Sequence, residues 1–133
     1  MTYLLDTNAC IRYLNGQSNE LRLRLESIDP QLIAVCSIVK AELFVGAMKS
    51  HFPEKTLARQ QVFLDQFLSL PFDDKAAETY SRLRADLESK GLPIGPLDML
   101  IAAIALTNNL TLVTHNTPEF SRVANLQTED WEL

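Results

Sequence analysis

The fold is decided by Tyr3-Leu4-Leu5-Asp6-Thr7-Asn8, at the start of the 133-residue chain. Tyr3–Leu5 is an apolar run too short for a helix and ended by polar residues, which predicts a short buried strand. Ala9–Leu14 reads as a helix. An acid at a strand-to-helix junction lies at the carboxyl end of a strand, where open α/β sheets bind their ligands. Two further acids, Glu42 and Asp98, interrupt strongly apolar helical runs. The expectation is that these three carboxylates meet at one sheet edge and hold a divalent metal.

Working outward, Asn15-Gly16 stops the first helix. Ser18 caps a second over Asn19–Ser27, and Asp29-Pro30 turns into a strand over Leu32–Cys36. Ser37 reads as the N-cap of a helix over Ile38–Met48, in which Glu42 shares a face with Ile38 and Val45. A carboxylate beside a packed face must be satisfied by something. Beyond the break at Ser50–Glu54, a helix is expected over Glu54–Leu68, with Leu57, Val62, Phe63, Phe67 and Leu68 facing the core. Ser69–Phe72 is expected as a strand. Asp73-Asp74 caps a long helix to Lys90, and Gly91 ends it. Leu92-Pro93-Ile94-Gly95-Pro96 is a stiff approach to a helix over Leu97–Thr107. Asp98 falls in its first turn, where exposed amides and the helix dipole favour negative charge. Thr111–Thr114 is another short strand, ending in His115-Asn116-Thr117-Pro118-Glu119-Phe120. Leu126–Leu133 adds a last strand around Thr128-Glu129-Asp130-Trp131.

Strands alternating with helices predict an α/β fold with a mostly parallel sheet covered on both faces. Right-handed crossovers then bring the carboxyl ends of the parallel strands to one edge. The length and 47% hydrophobic content suit one domain over residues 1–133 with a substantial core. No run is long enough to span a bilayer, and no secretion signal is expected at the N-terminus. Cys10 and Cys36, each within an apolar segment, are expected as buried free thiols in a reducing cytoplasm.

The net charge is −5 and uneven: residues 1–66 carry seven basic and seven acidic side chains, residues 67–133 five and ten. Such a chain is a poor general nucleic-acid binder, because phosphate contacts need Lys and Arg. A metal or a local basic patch must supply attraction to any nucleic acid. Arg12, Arg22, Arg24, Lys40, Lys49, Lys55 and Arg59 mark where that patch would lie.

Oxygen donors suit hard cations such as Mg²⁺ and Mn²⁺. No His/Cys spacing offers a zinc site. Two carboxylates about 4 Å apart repel by roughly 4 kcal/mol at an effective dielectric near 20. A cluster without a cation therefore keeps a proton near neutral pH or splays apart. From the residues alone, separate acids making caps and ion pairs remain the open alternative.

Four motifs bear on that choice: Leu4-Leu5-Asp6-Thr7-Asn8, Ser37…Ala41-Glu42-Leu43…Gly46-Ala47, Pro93-Ile94-Gly95…Asp98…Ile101-Ala102-Ala103, and Val113-Thr114-His115-Asn116…Glu119-Phe120. In this order they resemble the PIN-domain ribonucleases, and more closely the VapC toxins of bacterial VapBC toxin–antitoxin pairs. The resemblance runs from residue 3 to the Thr128-Glu129-Asp130-Trp131 tail. It implies an α/β/α sandwich around a parallel sheet of four or five strands. It implies hydrolysis of RNA phosphodiesters with Mg²⁺ or Mn²⁺, leaving 5′-phosphate and 3′-hydroxyl ends. Carried over, the family's core catalytic acids are Asp6, Glu42 and Asp98, with Asp6, Asp98 and Glu42 as metal ligands. The family's fourth acid is often Asp; here, with Asn116 in that region, the nearest acid, Glu119, is the candidate fourth catalytic acid. Thr7 and Asn116 are supporting residues that hydrogen-bond the ligand carboxylates. His115 is expected to be structural or RNA-contacting rather than a general base, and Trp131 a packed anchor. His51 has no partner visible in the sequence.

Two functions from different classes follow. One is a metal-dependent endoribonuclease toxin in the cytoplasm, with initiator tRNA cleaved in its anticodon stem–loop as the implied substrate. The resemblance gives it a VapB-type antitoxin, a homodimeric state, and operator DNA only through the antitoxin. The other is a PIN-like module acting mainly through the antitoxin in transcriptional autoregulation. Retention of Asp6, Glu42 and Asp98 together favours the enzyme.

Overall fold

Five short strands, all parallel, run β1 (Tyr3–Leu5), β2 (Ile33–Cys36), β3 (Leu68–Leu70), β4 (Thr111–Val113) and β5 (Thr128–Glu129), in the spatial order β3-β2-β1-β4-β5. The computed structural model describes all of residues 1–133. Between the strands lie α1 (Thr7–Leu14), α2 (Asn19–Ser27), α3 (Ser37–Met48), α4 (Pro53–Leu64), α5 (Asp74–Ser89), α6 (Pro96–Thr107) and α7 (Thr117–Phe120). The path steps one way from β1 through β3, then crosses back to β4 and β5. With right-handed crossovers, that reversal puts α1–α4 on one face of the sheet and α5–α7 on the other. It also makes the β1/β4 gap the point where the winding switches direction, and a crevice opens there at the carboxyl ends of the strands.

Register levels those ends. Leu5 pairs with Val113, and Val113 with Glu129. The ladder runs one residue further, with the Asp6 amide donating to the Val113 carbonyl at 3.1 Å and Thr114 to Glu129 at 3.0 Å. Asp6, Thr114 and Asp130 therefore leave three neighbouring strands side by side.

The sheet centre is apolar on both faces: Leu4, Leu5, Ile33–Cys36 and Leu112 are fully buried. On α6, Ile101 to Ala105 are equally buried, and their small side chains bring the helix close to its neighbours. Burying each large apolar side chain is worth about 1.5–3 kcal/mol. That anchorage fixes α6, and with it Asp98. Cys10 and Cys36 are buried free thiols. No helix is long and apolar enough to cross a membrane.

Several boundaries differ from the sequence reading. The fourth helix ends at Leu64 rather than Leu68, because Asp65 and Gln66 turn the chain into β3, which covers Leu68–Leu70 rather than Ser69–Phe72. Val62 and Leu68 are exposed, while Leu64 and Gln60 take the buried positions. Gln60 is tolerated there because its Nε2 donates to the Leu43 carbonyl at 3.0 Å. Ser37 is the first helical residue of α3 and not its cap; Cys36 occupies the cap without a side-chain hydrogen bond. Leu32 lies in a short 3₁₀ turn before β2.

Candidate active site

Asp6 caps α1. Its Oδ1 accepts the Ala9 amide at 2.7 Å, and the buried Thr114 hydroxyl lies beside it. The side chain is only 4% exposed. Burial first, with the charges of Glu132 and Glu42 adding, pushes its carboxyl up to about 6 against the lowering effect of those two hydrogen bonds. A buried acid held above its usual range near a switch point marks a candidate functional group.

Asp98 sits in the first turn of α6, which Pro96 opens in the position a helix tolerates best. Its carboxyl is also pushed up to about 6, first by partial burial and then by the charges of Glu119, Asp6 and Glu42. A hydrogen bond with Glu119 adds to the rise. Glu119, in α7, is held on both oxygens: the Gly95 amide donates to Oε1 at 2.9 Å, and Asn116 Nδ2 donates to Oε2. Gly95 lies against both acids: a Cβ there would sit at ordinary contact distance, 3.4 Å from Asp98 Oδ2 and 3.9 Å from Glu119 Oε1. Glu42, half-buried on α3, accepts the Thr7 hydroxyl at 2.6 Å. The four acids therefore share one electrostatic field although they come from α1, α3, α6 and α7.

A second group stands next to them that the sequence reading passed over. His115 Nδ1 is 2.9 Å from Asp130 Oδ2 and 3.9 Å from Glu132 Oε2, and Arg12 Nε is 2.6 Å from Glu132 Oε1. His115, Asp130 and Glu132 offer ligand-type atoms within 4.8 Å of one another. Here, however, each acid already has a cationic or ring-nitrogen partner. The signal for this group was present: Asp130 and Glu132 follow the last parallel strand, so the sheet delivers them to the same edge. Trp131, 3% exposed, pins that tail by packing edge-on against Tyr3 at 5.0 Å, with the Arg24 guanidinium 5.4 Å from its ring centre. His51 lies exposed at the break before α4, away from these groups.

The donors around Asp6 and Asp98 are carboxylate oxygens with hydroxyl and amide support, the set that suits a hard divalent cation. A cation among them would favour the charged form of both carboxyls, against the burial that chiefly raises them and the neighbouring acids that add to it.

The PIN-domain family signature matches residues 3–126. The chain is 41% identical to "Ribonuclease VapC2" of Rickettsia felis, over 99% of both chains. It is 37% identical to "tRNA(fMet)-specific endonuclease VapC" of Shigella flexneri, over 98% of both. Among solved structures, the DNA-bound VapBC of Salmonella typhimurium superposes with a TM-score of 0.93 at 36% identity, covering 98% of each chain. VapBC2 of Rickettsia felis, bound to a DNA fragment from its promoter, gives 0.91 at 40% identity, covering 98% of this chain and 99% of that one. With its five-stranded parallel sheet and acids gathered at the switch point, the chain belongs to the PIN-domain family, among the VapC ribonucleases.

Proposed function

We propose that the chain is a divalent-metal-dependent endoribonuclease toxin, restrained by a VapB-type antitoxin. The observation that carries this reading is the pair Asp6 and Asp98, both held near 6 in one crevice with Glu42 and Glu119. Such a pair is unfavourable without a cation. Asp6 and Asp98 would be its direct ligands, Glu42 would bind it or orient its water, and Glu119 would complete the outer shell. Bound Mg²⁺ or Mn²⁺ supplies an acidified water and offsets charge building on the phosphate. The protein's own part is orientation. The Thr7 hydroxyl fixes Glu42, the Gly95 amide and Asn116 fix Glu119, and the Ala9 amide fixes Asp6.

Relatives named for tRNA(fMet) support initiator tRNA as the substrate. Relatives solved as VapBC complexes, two of them with DNA, support an antitoxin partner and operator contact through that partner. The toxin is expected to work as a homodimer in the cytoplasm. A module that only docked its antitoxin would gain nothing from acids that destabilise its metal-free fold, so the autoregulatory reading is the weaker one.

The test is cleavage of initiator tRNA, elongator tRNAs and total bacterial RNA by antitoxin-free protein, in Mg²⁺ or Mn²⁺ and in EDTA, beside Asp98→Asn. Discrete fragments of initiator tRNA with 5′-phosphate ends, lost in EDTA and in the variant, are expected. Cleavage that persists in excess chelator would overturn the metal-dependent reading.

A further inference from the structure

Beside the acids, on the α1 side of the crevice, lies an open recess of about 480 Å³ lined by Asn8, Ile11, Arg12, Gln17, His115 and Asn116. Its chemistry is the opposite of its neighbour's: none of these residues is acidic. Two of them are tethered from behind by the tail. Arg12 is bound through Nε to Glu132, and His115 through Nδ1 to Asp130. Both tail acids are 8% exposed, whereas Arg12 and His115 are 37% and 59% exposed. The Glu132 amide, donating to Asp130 Oδ1 at 2.9 Å, locks the two acids into one turn.

Each tether uses one nitrogen only. Arg12 keeps Nη1 and Nη2, a planar pair of donors suited to a phosphate. The His115 ring donates Nδ1–H to a carboxylate, which can only accept. In the neutral ring, Nε2 is then an acceptor. An acceptor beside a phosphate clamp complements a ribose 2′-hydroxyl, the group that separates RNA from DNA. Glu132 stands between the two, with Arg12 Nε 2.6 Å from its Oε1 and His115 Nδ1 3.9 Å from its Oε2.

We propose that this recess binds the nucleotide flanking the cleaved bond, its phosphate on Arg12 and its 2′-hydroxyl on His115 Nε2, with the Asn8 and Asn116 amides as further polar contacts. The proposal rests on the ribonuclease reading above. It makes Arg12 an affinity determinant, His115 a selector of ribose, and the Asp130/Glu132 tail the frame that positions both.

The test measures anisotropy of a fluorescent anticodon stem–loop RNA of initiator tRNA and of its 2′-deoxy counterpart, in EDTA, against the full chain freed of antitoxin. Arg12→Ala is expected to weaken RNA binding about ten- to a hundredfold and to lower the slope of log Kd against log salt by about 0.7–0.9, one phosphate contact. Arg12→Lys is expected to restore the slope and part of the affinity. His115→Ala is expected to shrink the RNA-over-DNA preference about five- to tenfold and leave the slope unchanged. Because Arg12→Ala strands a buried acid, Arg12→Ala/Glu132→Gln is the folding control. It is expected to melt close to wild type and still bind RNA weakly. Wild-type affinity and slope in Arg12→Ala and in Arg12→Ala/Glu132→Gln would overturn the proposal. So would an antitoxin-binding defect with RNA binding intact, which would make the recess a protein-docking site. If the wild-type protein binds RNA as described yet cleaves none in Mg²⁺ or Mn²⁺, the ribonuclease reading fails and the recess stands only as an RNA-binding site, not as a subsite beside a cleaved bond. If it cleaves and the Arg12 and His115 variants match it, the recess fails alone.

Discussion

Asp6→Asn should stabilise the metal-free protein while removing its activity. The folded-state value near 6 lies above the unfolded value of 3.8, so the folded chain holds this proton more tightly than the unfolded one. Its contribution is fully favourable below about pH 4, is lost as pH rises to about 6, and stays lost above that. The rise from 3.8 to about 6 at a residue only 4% exposed corresponds to roughly 3 kcal/mol at neutral pH. Asparagine caps a helix as well as aspartate does, so the bond to the Ala9 amide survives. An underused amide donor takes back about 1 kcal/mol. The net gain is about 2 kcal/mol, a rise in Tm of about 6 °C for a chain of this size. Thermal unfolding in EDTA at pH 7.5 should show that rise, and at pH 4 the two proteins should melt together. Saturating Mg²⁺ at about a hundred times its Kd should stabilise the wild type by about 2.7 kcal/mol and leave the variant unmoved. A variant that melts at or below wild type at pH 7.5 in EDTA would refute the claim that Asp6 is a buried charge awaiting a cation.

Thr7→Val removes the 2.6 Å bond that orients Glu42 and should lower the cleavage rate about ten- to a hundredfold with little change in Tm, measured by single-turnover kinetics. Gly95→Ala adds a Cβ at ordinary contact distance from Asp98 and should fold normally. Gly95→Val extends further between Asp98 and Glu119 and should weaken Mn²⁺ binding by at least about tenfold in a calorimetric titration. Trp131→Ala removes the anchor of the tail and should cost about 3–5 kcal/mol of stability in urea unfolding, with RNA affinity falling alongside because Asp130 and Glu132 lose their frame.

The sheet was legible because its strands are short apolar runs closed by polar residues, and because parallel order follows from alternation with helices. The gathering of Asp6 and Glu119 at one edge followed from the same rule. Asp98 was harder, since it precedes a strand by a whole helix; its place depends on how α6 packs, which pattern alone does not encode. The end of α4 was misread because Phe67 and Leu68 continue a helical period that the turn at Asp65 and Gln66 interrupts. Val62 and Leu68 are apolar yet exposed, so hydrophobicity did not separate core from surface there. The tail group escapes the sequence reading because a last strand around Thr128–Trp131 does not say which strand it joins, whereas pairing of β5 with β4 puts Asp130 and Glu132 behind His115 and Arg12.

The most direct measurement is the anomalous difference density in crystals of this chain grown with Mn²⁺. The account predicts a peak bounded by Asp6 and Asp98, with Glu42 and Glu119 at its edge, absent from Asp98→Asn crystals. A peak instead among His115, Asp130 and Glu132, or none near Asp6 at saturating Mn²⁺, would contradict it.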